Sequence, residues 1–178
     1  MTETNSSKQY KNGSISDLNE KINGHNFFRK FGASIAEHRI ASLLQNNPHP
    51  NIVKIYRITD KYIDIELVTP VIFFHYDKEA LVSAANLAKK HLQSLDIMYI
   101  DWKTDNLGIG TDGKYKLFDF DASGISHNNT WLITPTQSWN YTHSLKHALK
   151  DHTEIDDFAF QTNFIVTAQI KSDHVTYL

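Results

Sequence analysis

The sequence predicts an α+β fold in two lobes: a small antiparallel sheet carrying one helix, then a shortened, mainly helical part. Three observations carry this. Short β-prone runs between turn signals fill the first 68 residues, interrupted by one stretch of helical periodicity. After Thr69-Pro70 the period changes, and Leu81, Ala84, Ala88, Leu92 and Leu95 recur at helical spacing. Two later segments are again apolar-periodic, and 178 residues suffice for one core but not for two large domains.

Residues 1–8 are polar and predict a flexible terminus ahead of a first lobe over 9–68 and a second over 69–178. Strands are expected around Gln9–Asn12, Asp17–Ile22 and His25–Phe31, with Asn23-Gly24 as a tight turn because both residues tolerate positive φ. Gly32 ends that segment. Ser34 and Glu37 have capping-box spacing ahead of Ile40, Leu43 and Leu44, which predicts a helix of about three turns. The prolines of "NNPHP" stop it, and "NIVKIYRI" and "KYIDIELV" read as strands about Thr59-Asp60. A long amphipathic helix follows from about Lys78 to Leu95. "LGIGTDGKYKLFDFD" then reads as two strands about Asp112-Gly113. Residues 122–140 read as polar and irregular, and helices are expected about Thr142–Lys150 and Glu154–Ala168.

Composition narrows the function. Forty per cent apolar and 21% charged residues describe an ordinary globular chain. A net charge of −2 without a dense basic patch gives no bulk attraction to nucleic acid or anionic membrane. Without cysteine there is no disulfide, thiolate nucleophile or cysteine zinc site. The ten histidines have no H-E-x-x-H spacing, and no G-x-S-x-G elbow is present. No apolar signal core opens the chain and no stretch near its ends is long enough to span a bilayer, so cytoplasmic residence is the expectation.

The chemistry-bearing stretch is "YIDWKTDN", which puts Asp101, Lys103 and Asn106 in a short loop after a helix, with Asp119 arriving 18 residues after Asp101. Phosphoryl transfer needs such a set: a carboxylate for a hydroxyl proton, a cation for the moving phosphate, and an amide and a second carboxylate for a hard divalent cation. Here the chain resembles the protein kinase family of Ser/Thr type, from about residue 10 to about residue 165. "YIDWKTDN" is similar to that family's H-R-D-L-x-x-x-N loop, and "DFD" at 119–121 to its D-F-G. The resemblance implies ATP with Mg²⁺ or Mn²⁺, Asp101 as base, Lys103 on the γ-phosphate, and Asn106 and Asp119 as metal ligands.

It also implies Lys30 as the V-A-I-K lysine, paired with Glu37. "KNGSISDL" stands at the Gly-rich loop, with Gly13 on the middle glycine, Ser14 beside it, Ile15 at the tip and Leu18 on the following valine. Phe28 replaces the alanine beside the adenine. Ile65 would guard the back pocket, and the backbones of Glu66 and Val68 would meet the adenine edge. Thr134, before Pro135, would reach the base and lysine from the substrate side, and Asp156 would anchor the catalytic-loop amides.

The sequence departs from the family at several points. Lys11 and Ser16 replace two loop glycines, Ile100 the arginine before Asp101, Asp121 the D-F-G glycine, and "SWNY" the A-P-E motif. The later helices of the second lobe are missing, so a homodimer or partner protein could complete it, beside a protein substrate. Two other readings stay open: a non-catalytic kinase-like binding module and a small-molecule kinase.

Overall fold

The computed structural model describes residues 9–10, 13–16, 20–73, 75–136, 141–143, 150–166 and 168. Turn chemistry organises the first sheet. Asn23 and Gly24 take φ of 52° and 80°, and Ile22 and His25 exchange backbone hydrogen bonds of 3.0 Å across them. Strands β1 (Gln9–Tyr10), β2 (Gly13–Ile15), β3 (Phe27–Phe31), β4 (Ile55–Ile58) and β5 (Tyr62–Glu66) form an antiparallel sheet in the order β1-β2-β3-β5-β4.

The second strand thus lies earlier than Asp17–Ile22, of which the described residues keep only the Ile22–His25 bridge, residues 17–19 lying outside. Its register explains why. Gly13 faces Lys30 and Ile15 faces Phe28, and a Cβ at residue 13 would come within 2.2 Å of the Phe28 ring. Only glycine lets β2 pass over that ring.

Helix α1 (Ile35–Asn46) opens with the Ser34 hydroxyl accepting from the Glu37 amide at 3.1 Å, and it buries Glu37, Ile40, Ala41 and Leu44. Asp77 caps α2 (Lys78–Ser94) in the same way through the Ala80 amide. Ile40 and Leu44 of α1 and Leu81, Ala85 and Leu92 of α2 share one core with Tyr99, Trp102, Phe160 and Phe164, so a single apolar body joins the sheet to the rest.

The second part is less helical than the sequence pattern suggests. Strands β6 (Thr69–Pro70), β8 (Leu107–Ile109) and β9 (Tyr115–Leu117) make one three-stranded sheet. A second joins β7 (Ile97–Met98) to β10 (Gly124–His127) and β11 (Thr130–Ile133). The stretch read as irregular therefore holds a hairpin. Asn128 and Asn129 turn it at φ 48° and 56°, left-handed values that asparagine tolerates.

The last expected helix begins two residues early, as α3 (His152–Ala159) capped by Asp151, and widens into a π-helical turn at Phe160–Ile165. Phe160 and Phe164 meet Trp102 edge-on, with centroids 5.0 and 6.3 Å away. Of the helix expected about Thr142–Lys150, residues 141–143 are helical, 150 is not, and 144–149 lie outside the described residues. No helix among the described residues is long and apolar enough to cross a membrane.

A buried charge fixes β5 against the β8–β9 hairpin. Lys116, 1% exposed, reaches Glu66 Oε1 and Asp112 Oδ2, both at 3.0 Å, while Glu66 Oε2 accepts from the Lys54 amide at 3.1 Å. Removing one partner of a buried pair strands the other. Lys116→Ala is therefore expected to destabilise the fold by about 3–5 kcal/mol in urea titration, whereas Asp112→Asn, at the half-exposed end, costs about 1 kcal/mol or less.

Candidate active site

A cleft of about 430 Å³ lies between the first sheet and the segments that follow β5, a volume suited to a small-molecule ligand. Ile15, Phe28, Ile65 and Val68 form its apolar walls, and Lys30, Glu37, Asp119 and Asp121 its polar end. Pairing places them there. Phe28 and Lys30 alternate along β3 and so share a face, and Phe28 pairs with Ile65 of β5.

Lys30 collects three carboxylates. Its Nζ lies 2.6 Å from Glu37, 2.8 Å from Asp119 and 3.0 Å from Asp121. The serine cap uses the Glu37 amide and leaves its carboxylate for Lys30, so both functions of Glu37 coexist. Burial opposes the charge on Lys30, but Glu37 and then Asp119 outweigh it, and the ammonium is held above its ordinary range. Glu37 Oε2 is buried and receives no hydrogen bond from an N–H group. Burial first, and then the Asp121 carboxyl, pushes Glu37 up to about 8 against the pull of Lys30. At Asp121 burial acts the same way, but the contacts with Glu37 and Lys30 prevail and hold it below the usual carboxylate range.

A second cluster surrounds Asp101. Lys103 Nζ donates to Asp101 Oδ2 at 2.6 Å, and Asn106 Nδ2 donates to the same oxygen and to the Asp101 carbonyl, both at 3.1 Å. The hairpin β8–β9 links the clusters, because the Phe118 amide donates to the Asn106 carbonyl at 3.0 Å one residue before Asp119. Asp119 itself has φ 62° and Ile100 has φ 65°. A β-branched residue in the left-handed region is strained, and such strain persists only when its surroundings over-determine it.

Asp156 supplies that restraint: its Oδ1 accepts from the Ile100 amide at 2.9 Å and from Trp102 Nε1 at 2.7 Å, and its Oδ2 from Gln93 at 3.1 Å. Burial pushes its carboxyl up to about 6 although these three bonds and Lys89 pull the other way.

Other anticipated positions differ. Gly13 and Ser14 are strand residues rather than a loop, Gly13 packed against the Phe28 ring. Ile15 is no loop tip but the residue of β2 opposite Phe28, where it lines the cleft, and Leu18 lies outside the described residues. The Glu66 amide donates to the Lys54 carbonyl at 2.8 Å and its side chain holds Lys116, so Glu66 is bound into the fold at the cleft edge. Thr134 is exposed after β11 and makes no hydrogen bond to Asp101 or Lys103; Thr136 instead donates to the Asp121 carbonyl at 3.0 Å. Asp121 was legible only as a departure from a motif.

No family profile and no curated protein matches the chain in sequence. Solved structures do match it. A chain of the crystal structure of the yeast RNA Pol II CTD kinase CTDK-1 complex superposes with a TM-score of 0.60 at 18% identity, over 83% of this chain and 55% of the other. The chain thus spans about half the length of that structural neighbour, and its fold is kinase-like.

The Asp156 anchor gives a pH signature. An acid that ionises near 3.8 when unfolded and near 6 when folded favours the folded state below the lower value and loses that advantage as pH rises through the upper one. The stability of the wild type relative to Asp156→Asn, from denaturant titrations, is therefore expected to fall by roughly 3 kcal/mol between about pH 4 and 6 and to stay level above.

Proposed function

We propose that the chain is an ATP-dependent phosphotransferase acting on Ser or Thr hydroxyls of a protein. One observation carries this reading: Lys30, Glu37 and Asp119 meet at the polar end of the cleft while Asp101, Lys103 and Asn106 meet in one loop, the two sets tied through the Phe118 amide. In this reading the hydroxyl oxygen attacks the γ-phosphorus, the bond to the bridging oxygen breaks, ADP leaves and Asp101 takes the proton. Lys103, already at Asp101, places a positive charge where the transferred group passes. Lys30 orients the remaining phosphates.

The donor set fits a divalent cation. Asn106 and Asp119 offer an amide oxygen and a carboxylate, hard ligands suited to Mg²⁺ or Mn²⁺, and Lys30 engages only Oδ1 of Asp119. Such an ion would neutralise phosphate charge as transfer proceeds. The solved neighbour is a chain of a complex, and in this reading a partner protein or second copy binds this chain.

A second reading, a binding module without catalysis, is favoured by one observation: three carboxylates crowd the Lys30 ammonium within 3.0 Å. Radiolabelled transfer from ATP separates the two. Wild type is expected to label a generic Ser/Thr protein substrate or itself in Mg²⁺, with Asp101→Asn and Lys30→Met each reduced by about 10²-fold or more. Mg²⁺-dependent nucleotide binding without label in any of the three would favour the module, and label on small hydroxyl compounds alone would favour a small-molecule kinase.

A further inference from the structure

Three carboxylates stand within 3.0 Å of the Lys30 Nζ: it donates to Glu37 and Asp119, and Asp121 adds an ion pair. A phosphate oxygen approaching the ammonium must displace one of them. Three acids around one cation leave the cluster with a negative excess. A polyphosphate entering alone would meet repulsion at short range in a partly buried site.

The three contacts are not equivalent. Glu37 is buried on α1 and makes the shortest one. Asp119 is needed for other work in the nucleotide reading. Asp121 makes the longest, and its side chain is 47% exposed. Its backbone is not in the left-handed region, so no glycine is required there, and its carbonyl is held by the Thr136 hydroxyl. The chain therefore places an extra carboxylate over its phosphate-binding lysine at a position where the backbone does not demand one.

We propose that Asp121 is a specificity-determining lock: its carboxylate covers the side of the Lys30 ammonium that a nucleotide phosphate needs and releases it only when a divalent cation enters with the nucleotide. This rests on the nucleotide reading above. With a divalent cation held by Asn106 and Asp119, the local charge balance would favour release of the exposed Asp121 carboxylate from Lys30 and leave the ammonium free for phosphate. Metal and nucleotide then bind with strong mutual coupling, and metal-free nucleotide is rejected. Glycine at 121 uncovers the ammonium and asparagine removes the charge that holds the contact, so either makes nucleotide binding less dependent on metal.

The test is calorimetric titration of the full chain with a non-hydrolysable ATP analogue, in Mg²⁺ and in EDTA, for wild type and Asp121→Asn. Asp121→Gly serves as the second variant, and thermal unfolding verifies that each protein is folded. The ratio of affinities with and without Mg²⁺ is expected to shrink by about tenfold or more in both variants, chiefly because metal-free binding strengthens. An unchanged ratio in folded variants overturns the lock while leaving the nucleotide reading intact. Weaker binding in Mg²⁺ with no gain in EDTA overturns it too and makes Asp121 a metal ligand. Binding by none of the three proteins in either condition overturns the nucleotide reading and the lock together.

Discussion

One ammonium group holds the cleft together. Lys30 comes from the middle of the first sheet, Glu37 from the first turn of α1, and Asp119 from a segment 89 residues further along the chain. A buried cation without partners would be costly, so the folded chain must deliver carboxylates to it. The sheet, the helix and the segment after β9 are thereby fixed relative to one another at the place where the apolar walls of Ile15, Phe28 and Ile65 end.

The loop below is held by a different device. Tyr99, Trp102 and Phe120 pack with Phe160 and Phe164 in one aromatic body, and the Tyr99 hydroxyl donates to the Phe118 carbonyl at 2.6 Å. Asp156 draws the Ile100 amide and the Trp102 ring to one oxygen, which keeps Ile100 in its strained conformation and turns Asp101 toward Lys103 and Asn106. Strain at residue 100 is thus offset by hydrogen bonds and packing that converge on α3 and the π-helical turn.

Much of this was legible because local rules and global fold agree. Asn23-Gly24, Ser34 and the apolar spacing of Leu81, Ala84 and Ala88 each specify their element without help from distant contacts. The grouping of Asp101, Lys103 and Asn106 follows from separations of two and five residues in one loop. What failed depends on distant partners. The register of β2 is set by the Phe28 ring seated under Gly13, which no local pattern in "KNGSIS" encodes. The Asn128-Asn129 hairpin was read as irregular because its strands are only four residues each and one of them leans on β7. The third acid on Lys30 is visible only once residues 30 and 121 meet in space.

The most direct test of the central claim is a double-mutant cycle on stability between Lys30→Met and Asp119→Asn. If one ammonium truly joins the sheet to the segment after β9, the two substitutions are coupled by roughly 1 kcal/mol or more in denaturant titration. Effects that simply add, to within about 0.3 kcal/mol, would contradict it.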